Sequence, residues 1–189
     1  LNYAGNLSVL RKRYDRAMEF YEEGLGLSER INSPSLSGRI AANAARALLL
    51  EGNTVKAESY LDTAYRSHSA LADSHDKAYG LIGIGRMYRT MSLRLLDRRH
   101  HFRDRASIAL SGAFETARRI NDHRSASYAS GYTGEVKEDE GSFAEALRHT
   151  RRAIFEAQAA DAPESAYLWH WQAGRLMKAQ GRLDEATRA

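Results

Sequence analysis

The stretch from Gly134 to Ala189 contains one sequence pattern twice, forty residues apart. The segment Glu140-Gly141-Ser142-Phe143-Ala144-Glu145-Ala146 corresponds to Gln180-Gly181-Arg182-Leu183-Asp184-Glu185-Ala186, and Gly134 corresponds to Gly174. Each copy has a small residue, then a glycine, a bulky apolar residue and an alanine. This order is typical of a helix hairpin in which a glycine closes the first helix. A repeat of this length predicts an array of stacked hairpins.

Three more copies of the pattern lie upstream. A small residue marks the first helix of each copy and an alanine marks the second. The small residues are Gly5, Ala45, Gly85, Gly134 and Gly174, and the alanines are Ala17, Ala57, Ala106, Ala146 and Ala186. The spacing between the two marks is the same in every copy except the third, where it is longer by nine. The sequence therefore predicts five repeats of forty residues or so, with an insertion of nine residues in the third.

The repeat sets the expected boundaries along the chain. We expect one array over residues 1–189, with repeats at about 1–34, 37–74, 76–123, 125–162 and 164–189 and an insertion at 92–102. Pro34 and Pro163 follow the alanine of their repeat at the same spacing, where the second helix should end and a turn begin. The pattern begins and ends incomplete, so we expect the chain to be part of a longer protein.

Composition and charge argue against several classes of protein. A hydrophobic fraction of 43% with two prolines argues against disorder. No run approaches the ~18 apolar residues of a membrane span, and no cysteine is available for disulfides, metal sites or nucleophilic catalysis. The net charge of +4 is modest, so nucleic acid is not expected as a partner. We expect a cytoplasmic protein without membrane contact.

The pattern resembles that of the tetratricopeptide repeat. The family has a small residue, a bulky residue, an alanine and a second small residue at four places, which repeat four fills with Gly134, Phe143, Ala146 and Ala153. Thr150 departs from the pattern, which normally has a bulky residue there. The period is longer than the family's usual one of about 34 residues, which implies longer helices. The resemblance implies an all-α fold, a right-handed α–α superhelix of about five helix hairpins.

A narrower resemblance covers Glu138 to Gly181. The runs 138–143, 146–153 and 169–176 read EDEGSF, ALRHTRRA and WHWQAGRL. They resemble the repeat array that precedes the caspase-like domain in bacterial CHAT proteins. The protease histidine and cysteine of that family lie on a separate domain, and this chain has no cysteine. The resemblance therefore implies the regulatory or recruiting part of such a protein.

In tetratricopeptide arrays the first helices line a concave groove that holds a partner. The matching positions here form the candidate binding residues Arg46, Arg86, Arg89, Glu135, Glu138, Arg175, Lys178, Tyr79, Tyr128 and Trp171. Arginine and aromatic side chains carry much of the binding energy at protein interfaces. The series of arginines favours an acidic or mixed-charge peptide. In the alternative interpretation, Glu135 and Glu138 neutralise the neighbouring arginines, and the exposed pairs contribute little.

Other groups of residues give weaker signals. His68 and His75 lack a third ligand at the spacing of a metal site, and neither a nucleophile elbow nor a phosphate-binding loop is present. We therefore expect no catalytic residues, no metal and no cofactor. Trp169 and Trp171 point about 200° apart on a helix, so one should be buried while the other faces the groove.

The insertion is rich in arginine. Residues 94–105 carry five arginines against Asp97 and Asp104. We interpret this stretch as a solvated loop with helix ends, and the alternative is a contact with phosphate or with an acidic partner.

These features favour a non-catalytic scaffold that binds a peptide or partner domain in its groove. The alternative is the ligand-sensing repeat arm of a signalling or transcription-regulatory protein. A closed pocket lined by Tyr79, Tyr128 and Trp171 would favour the sensor, whereas an open channel would favour the scaffold. Exposed repeat ends also favour association into a homo-oligomer.

Overall fold

The computed structural model describes residues 1–187, which contain ten α-helices, one short 3-10 helix and no strand. The chain divides into two compact units, Leu1–Ala72 and Asp73–Ala189. The first unit contains α1 (Asn2–Leu10), α2 (Tyr14–Arg30), α3 (Pro34–Glu51) and α4 (Thr54–Ser69). The second contains α5 (His75–Arg94), the 3-10 helix (Leu96–Arg98), α6 (Arg99–Arg119), α7 (His123–Asp139), α8 (Phe143–Ala159), α9 (Pro163–Ala179) and α10 (Leu183–Ala186).

Within each unit, consecutive helices pack on one another as hairpins. The predicted all-α class of tetratricopeptide-like hairpins is confirmed. Among the described residues, no helix is both long enough and apolar enough to cross a bilayer. The core of the first unit contains Tyr21 and Ile40, and cores of the second unit contain Leu147, Leu176 and Trp169.

The small residues lie where the repeat predicts close approach between helices. A Cβ atom added to Gly85 would lie 3.3 Å from the carbonyl oxygen of Ala106, and one on Gly134 would lie 3.2 Å from that of Ala146. A Cβ atom added to Gly174 would lie 3.3 Å from the carbonyl oxygen of Ala186. The paired marks therefore face each other within three hairpins of the second unit.

Local sequence explains where the helices begin and end. Pro34 and Pro163 are the first residues of α3 and α9, so each proline begins a first helix, where its fixed φ suits the position. The side chains of Asn53, Ser74 and Asp122 cap α4, α5 and α7. The turns between paired helices include Gly52, Gly141 and Gly181, all with positive φ.

The insertion is mostly helical, so the predicted loop between helix ends is confined to residues 95–98. Helix α5 continues to Arg94, a 3-10 helix covers three residues, and α6 begins at Arg99. Phe102 is buried against Tyr88, with ring centroids 6.4 Å apart. Phe102, Ala106 and Leu110 share one helix face, so the apolar stripe of α6 begins inside the insertion. The charged residues around Phe102 obscured this stripe in the sequence.

The departure at Thr150 has a packing explanation. A Cβ atom on Gly134 would lie 2.9 Å from both Thr150 Oγ1 and Gln172 Nε2. The Gln172 side chain of α9 therefore reaches the space beside Thr150, where the family pattern has a bulky residue. Gln172 is 1% exposed, and in the described part of the chain neither its Nε2 nor its Oε1 has a hydrogen-bond partner.

We expect Gln172→Met to raise the melting temperature of the second unit. A buried amide without partners destabilises the folded state by about 1–3 kcal/mol, and methionine keeps the unbranched shape. Thermal unfolding followed by circular dichroism measures the change. Gln158→Met, on the exposed side of α8, is the matched control and should leave the melting temperature within a degree or so. A lower melting temperature for Gln172→Met would contradict the expectation.

Candidate functional site

The first helices of the second unit, α5, α7 and α9, lie side by side. They carry nine of the ten predicted groove residues; the tenth, Arg46, is exposed on α3 of the first unit. We call the surface of these three helices the first-helix face. Its members are Tyr79, Arg86 and Arg89 of α5; Tyr128, Tyr132, Glu135 and Glu138 of α7; and Trp171, Arg175 and Lys178 of α9.

One half of this face is built on aromatic rings. Tyr128 and Tyr132 stack with centroids 6.1 Å apart, and both meet the ring of Trp169 edge-on, at 6.0 and 5.3 Å. We call these three residues the aromatic platform. Trp169 is buried, whereas Trp171 is 65% exposed, which confirms the opposite orientation predicted for the pair.

The Trp169 indole is held from several sides. Its Nε1 donates to Ser127 Oγ at 2.9 Å, and Ser127 Oγ donates to the carbonyl oxygen of Ala153 at 2.8 Å. Gly131 of α7 leaves the room that the ring occupies, because a Cβ atom there would lie 2.4 Å from indole atoms. The platform is therefore fixed by the packing of α7, α8 and α9.

Two residues of α5 lie beside the platform. The guanidinium carbon of Arg86 lies 4.5 Å from the ring centroid of Tyr132, a cation–π contact. Tyr79 is exposed and stacks on His75 with centroids 5.7 Å apart. Burial raises the pKa of both Tyr128 and Tyr132, so their hydroxyl groups stay neutral at physiological pH. This part of the face offers ring surface together with hydrogen-bond donors.

The other half of the face is a network of ion pairs, which we call the charge network. Its members are Arg89, Glu135, Glu138, Asp139 and Arg175. Arg89 donates to both carboxylate oxygens of Asp139, at 2.6 and 3.1 Å, and also to Glu135. Arg175 donates to both oxygens of Glu138, at 2.9 and 3.3 Å. The acidic residues of α7 thus neutralise arginines from α5 and α9, as in the alternative interpretation.

The environment of this network shifts two pKa values. Burial raises the pKa of Glu135, although Arg89 and Arg175 oppose the shift. Burial alone would lower the pKa of Arg89, but its hydrogen bonds with Asp139 and the charge of Glu135 raise it. Arg103 of α6 also donates to the backbone carbonyl of Asp139. Arginines from three helices therefore hold the carboxyl end of α7.

Two histidines and an arginine contact acidic residues at the amino ends of the same helices. His75 Nδ1 lies 2.6 Å from Asp122, and His123 Nδ1 lies 2.7 Å from Glu156. Arg124 of α7 lies 2.9 Å from Glu164 of α9. In the described part of the chain, no group of three or more histidine, aspartate or glutamate residues is arranged to hold a metal ion.

A pocket of about 780 Å³ lies between α9 and α10. Its walls are Tyr167, His170, Trp171, Gly174, Arg175, Lys178, Leu183, Ala186 and Thr187. Of the three residues that would line the pocket of a sensor, Trp171 alone belongs to this set. The pocket therefore does not match the one that would favour the sensor.

The first unit presents amide groups on its own first helices. The Tyr21 hydroxyl donates to Asn6 Oδ1 at 2.7 Å, and Asn43 Nδ2 donates to Asn2 Oδ1 at 3.0 Å. These bonds orient the asparagine side chains of α1. Burial raises the pKa of the Tyr21 hydroxyl, and the charge of Arg46 on α3 opposes this shift.

Sequence reasoning missed Tyr132 and the supporting role of Trp169. The signal for Tyr132 is its spacing, because it lies four residues after Tyr128 and shares its helix face. Tyr132 does not lie at one of the groove positions of the tetratricopeptide pattern, and the prediction was based on those positions. For Trp169, the sequence predicted only that one of Trp169 and Trp171 is buried, and it did not indicate which one.

Two solved structures are similar to this chain in fold. One is BtubC (BKLC) from P. vanneervenii, with a TM-score of 0.77 and 18% sequence identity, over 97% of this chain and 73% of BtubC. The other is aspartyl phosphate phosphatase F from Bacillus subtilis, with a TM-score of 0.71 and 14% identity, over 97% of this chain. The match spans 46% of the phosphatase. No protein-family model and no curated protein matches the sequence.

Proposed function

We propose that the second unit is a non-catalytic interaction module that binds an extended peptide segment of a partner protein on the first-helix face. The observation that carries the proposal is the aromatic platform, whose tyrosines are oriented by a buried and hydrogen-bonded Trp169. Preformed aromatic surface binds a partner at a small entropic cost, because few side chains have to become ordered. Tyrosine, tryptophan and arginine are also the residues that dominate such interfaces.

The chemistry of the face indicates what the peptide would carry. A large apolar or aromatic side chain would cover Tyr79 and Tyr128, and the tyrosine hydroxyls and Arg86 would donate to backbone carbonyls. Arg89 and Arg175 already bind carboxylates, so they add little attraction for acidic residues. An acidic residue of the peptide would meet Arg86 or the exposed Lys178. The preferred ligand is therefore a peptide of mixed charge that also carries large apolar or aromatic side chains.

Selection from a random peptide library displayed on phage tests the proposal. We expect enriched peptides to carry aromatic or large apolar residues, and Tyr79→Ala together with Arg86→Ala to weaken their binding about tenfold or more. Fluorescence anisotropy of the synthesised peptides measures Kd. Both substitutions lie at exposed positions of α5, so the variants should keep the fold, which circular dichroism checks.

The matched control is Tyr3→Ala, because Tyr3 is an exposed tyrosine on a first helix of the other unit. It should leave Kd unchanged. The proposal is wrong if no peptide is enriched, or if the enriched peptides bind the Tyr79→Ala, Arg86→Ala variant as tightly as the original protein.

We propose further that the array is the regulatory repeat region of a longer CHAT-type protein. The support is the resemblance of the segment from Glu138 to Gly181 to such arrays. Sequencing the coding region downstream of this segment in the parent gene tests the idea. A domain with a histidine–cysteine protease pair would support it, and an unrelated domain or an immediate stop codon would contradict it.

A further inference from the structure

The third hairpin is longer than the others at its turn. We call residues 92–103, from the end of α5 to the beginning of α6, the hairpin extension. The nine residues that the third repeat adds fall in this region. The other hairpins close without them, so the extension is not needed to join two helices of this fold.

The hairpin extension has packing of its own. Phe102 is buried and meets His101 edge-on with centroids 5.0 Å apart, and the guanidinium carbon of Arg98 lies 4.7 Å above its ring. Arg105, just beyond the extension, donates to the hydroxyl of the buried Tyr88 at 2.8 Å. Together with the hydrogen bond from Arg103 to α7, these contacts fix the extension against the rest of the second unit.

The outer surface of the extension combines exposed leucines with positive charge. Leu93 and Leu96 are 50% and 63% exposed. Between and beside them, residues 93–100 carry Arg94, Arg98 and Arg99 against Asp97, a formal charge of 3 − 1 = +2 with His100 neutral. A rigid surface that is both apolar and cationic complements a partner that is both apolar and anionic.

We propose that the hairpin extension docks an acidic amphipathic segment of a partner protein. Apolar side chains of the segment cover Leu93 and Leu96, and its carboxylates face the arginines around them. RNA fits this surface less well, because its phosphates would contact the arginines but leave the exposed Leu93 and Leu96 without an apolar partner. An anionic membrane also fits less well. Each basic residue near such a membrane contributes ~1 kcal/mol of binding free energy, so the small net charge of the extension would give only weak binding. This inference does not depend on the first-helix face.

A designed peptide tests the proposal directly. The probe is a fluorescein-labelled helical peptide with glutamate on one face and leucine on the other, and the comparison peptide has lysine in place of glutamate. We expect the acidic peptide to bind with a Kd that rises at higher salt, and the lysine peptide not to bind. Leu96→Ser and Arg99→Glu should each raise the Kd about fivefold to tenfold.

Controls separate the extension from the rest of the surface. Val55→Ser and Arg11→Glu change exposed residues near the hairpin turns of the first unit and should leave the Kd unchanged, as should Tyr79→Ala. Leu93→Ser gives a second variant if either of the others unfolds. The proposal is overturned if the acidic peptide does not bind, if the control variants weaken binding equally, or if polyuridine RNA or phosphatidylserine vesicles bind the extension while the peptide does not.

Discussion

Gly131→Ala should lower the melting temperature of the second unit by several degrees. The added Cβ atom would lie 2.4 Å from Cε2 and Cζ2 of Trp169 and 2.5 Å from Cδ2. The indole is held in place, because its Nε1 donates to Ser127 Oγ and two tyrosine rings pack edge-on against it. Overpacking of this kind costs about 1–3 kcal/mol, and each kcal/mol lowers the melting temperature of a domain of ~100 residues by about 4–8 °C.

Gly83→Ala is the matched control for this change. Gly83 also lies in the middle of a first helix, but a Cβ atom there would meet nothing within 4 Å. Alanine is the better helix former by about 0.5–1 kcal/mol, so this variant should be more stable than the original protein. Differential scanning calorimetry compares the two variants, and tryptophan emission reports whether the indole becomes exposed. A melting temperature for Gly131→Ala at or above that of the original protein would show that the platform is not tightly packed.

The helix hairpins could be predicted from the sequence because their cause is local and repeated. Gly134 with Ala146 and Gly174 with Ala186 leave space at the same phase in successive repeats, and the backbones meet there in the structure. The insertion could not be predicted in the same way. Its helical stripe begins at Phe102 among charged residues, and only one residue of the apolar set lies inside the inserted segment.

The candidate site was harder to predict than the hairpins. Helical spacing gave the opposite orientations of Trp169 and Trp171, because that inference needs only one helix. The pairing of Arg89 with Asp139 joins residues 50 apart in sequence, and it depends on how far α5 lies from α7. Both interpretations of the arginine series were therefore consistent with the sequence. The distance between two helices is set by the small and large residues that pack between them, which a list of groove positions does not include.

Arg89→Met should destabilise the second unit by about 2 kcal/mol at pH 7, less than the loss of a partner from a fully buried ion pair. The side chains of Arg89, Glu135 and Asp139 are 25%, 22% and 14% exposed. Breaking a fully buried pair by removing one partner costs about 3–5 kcal/mol, and the partial exposure here reduces that figure. Methionine keeps the aliphatic packing of the arginine stem, so most of the loss should come from the two carboxylates that lose the hydrogen bonds and charge of Arg89.

The pH dependence of this loss tests its electrostatic origin. Burial already raises the pKa of Glu135 in the folded protein, and removal of Arg89 should raise it further. A carboxyl group whose pKa is higher in the folded state binds its proton there first, so the folded state gains stability as pH falls toward the ordinary value of 4.5. The loss of unfolding free energy caused by Arg89→Met should therefore be largest at pH 7 and become smaller as the pH falls from 7 to about 4.5. Urea unfolding at several pH values measures it.

A double variant identifies the carboxylate responsible. Adding Glu135→Gln to Arg89→Met removes one of the two carboxylates that lost Arg89, so the double variant should be more stable at pH 7 than Arg89→Met and less sensitive to pH. If the loss of unfolding free energy caused by Arg89→Met stays constant or grows as the pH falls, the contribution of Arg89 to stability does not come from the charge network.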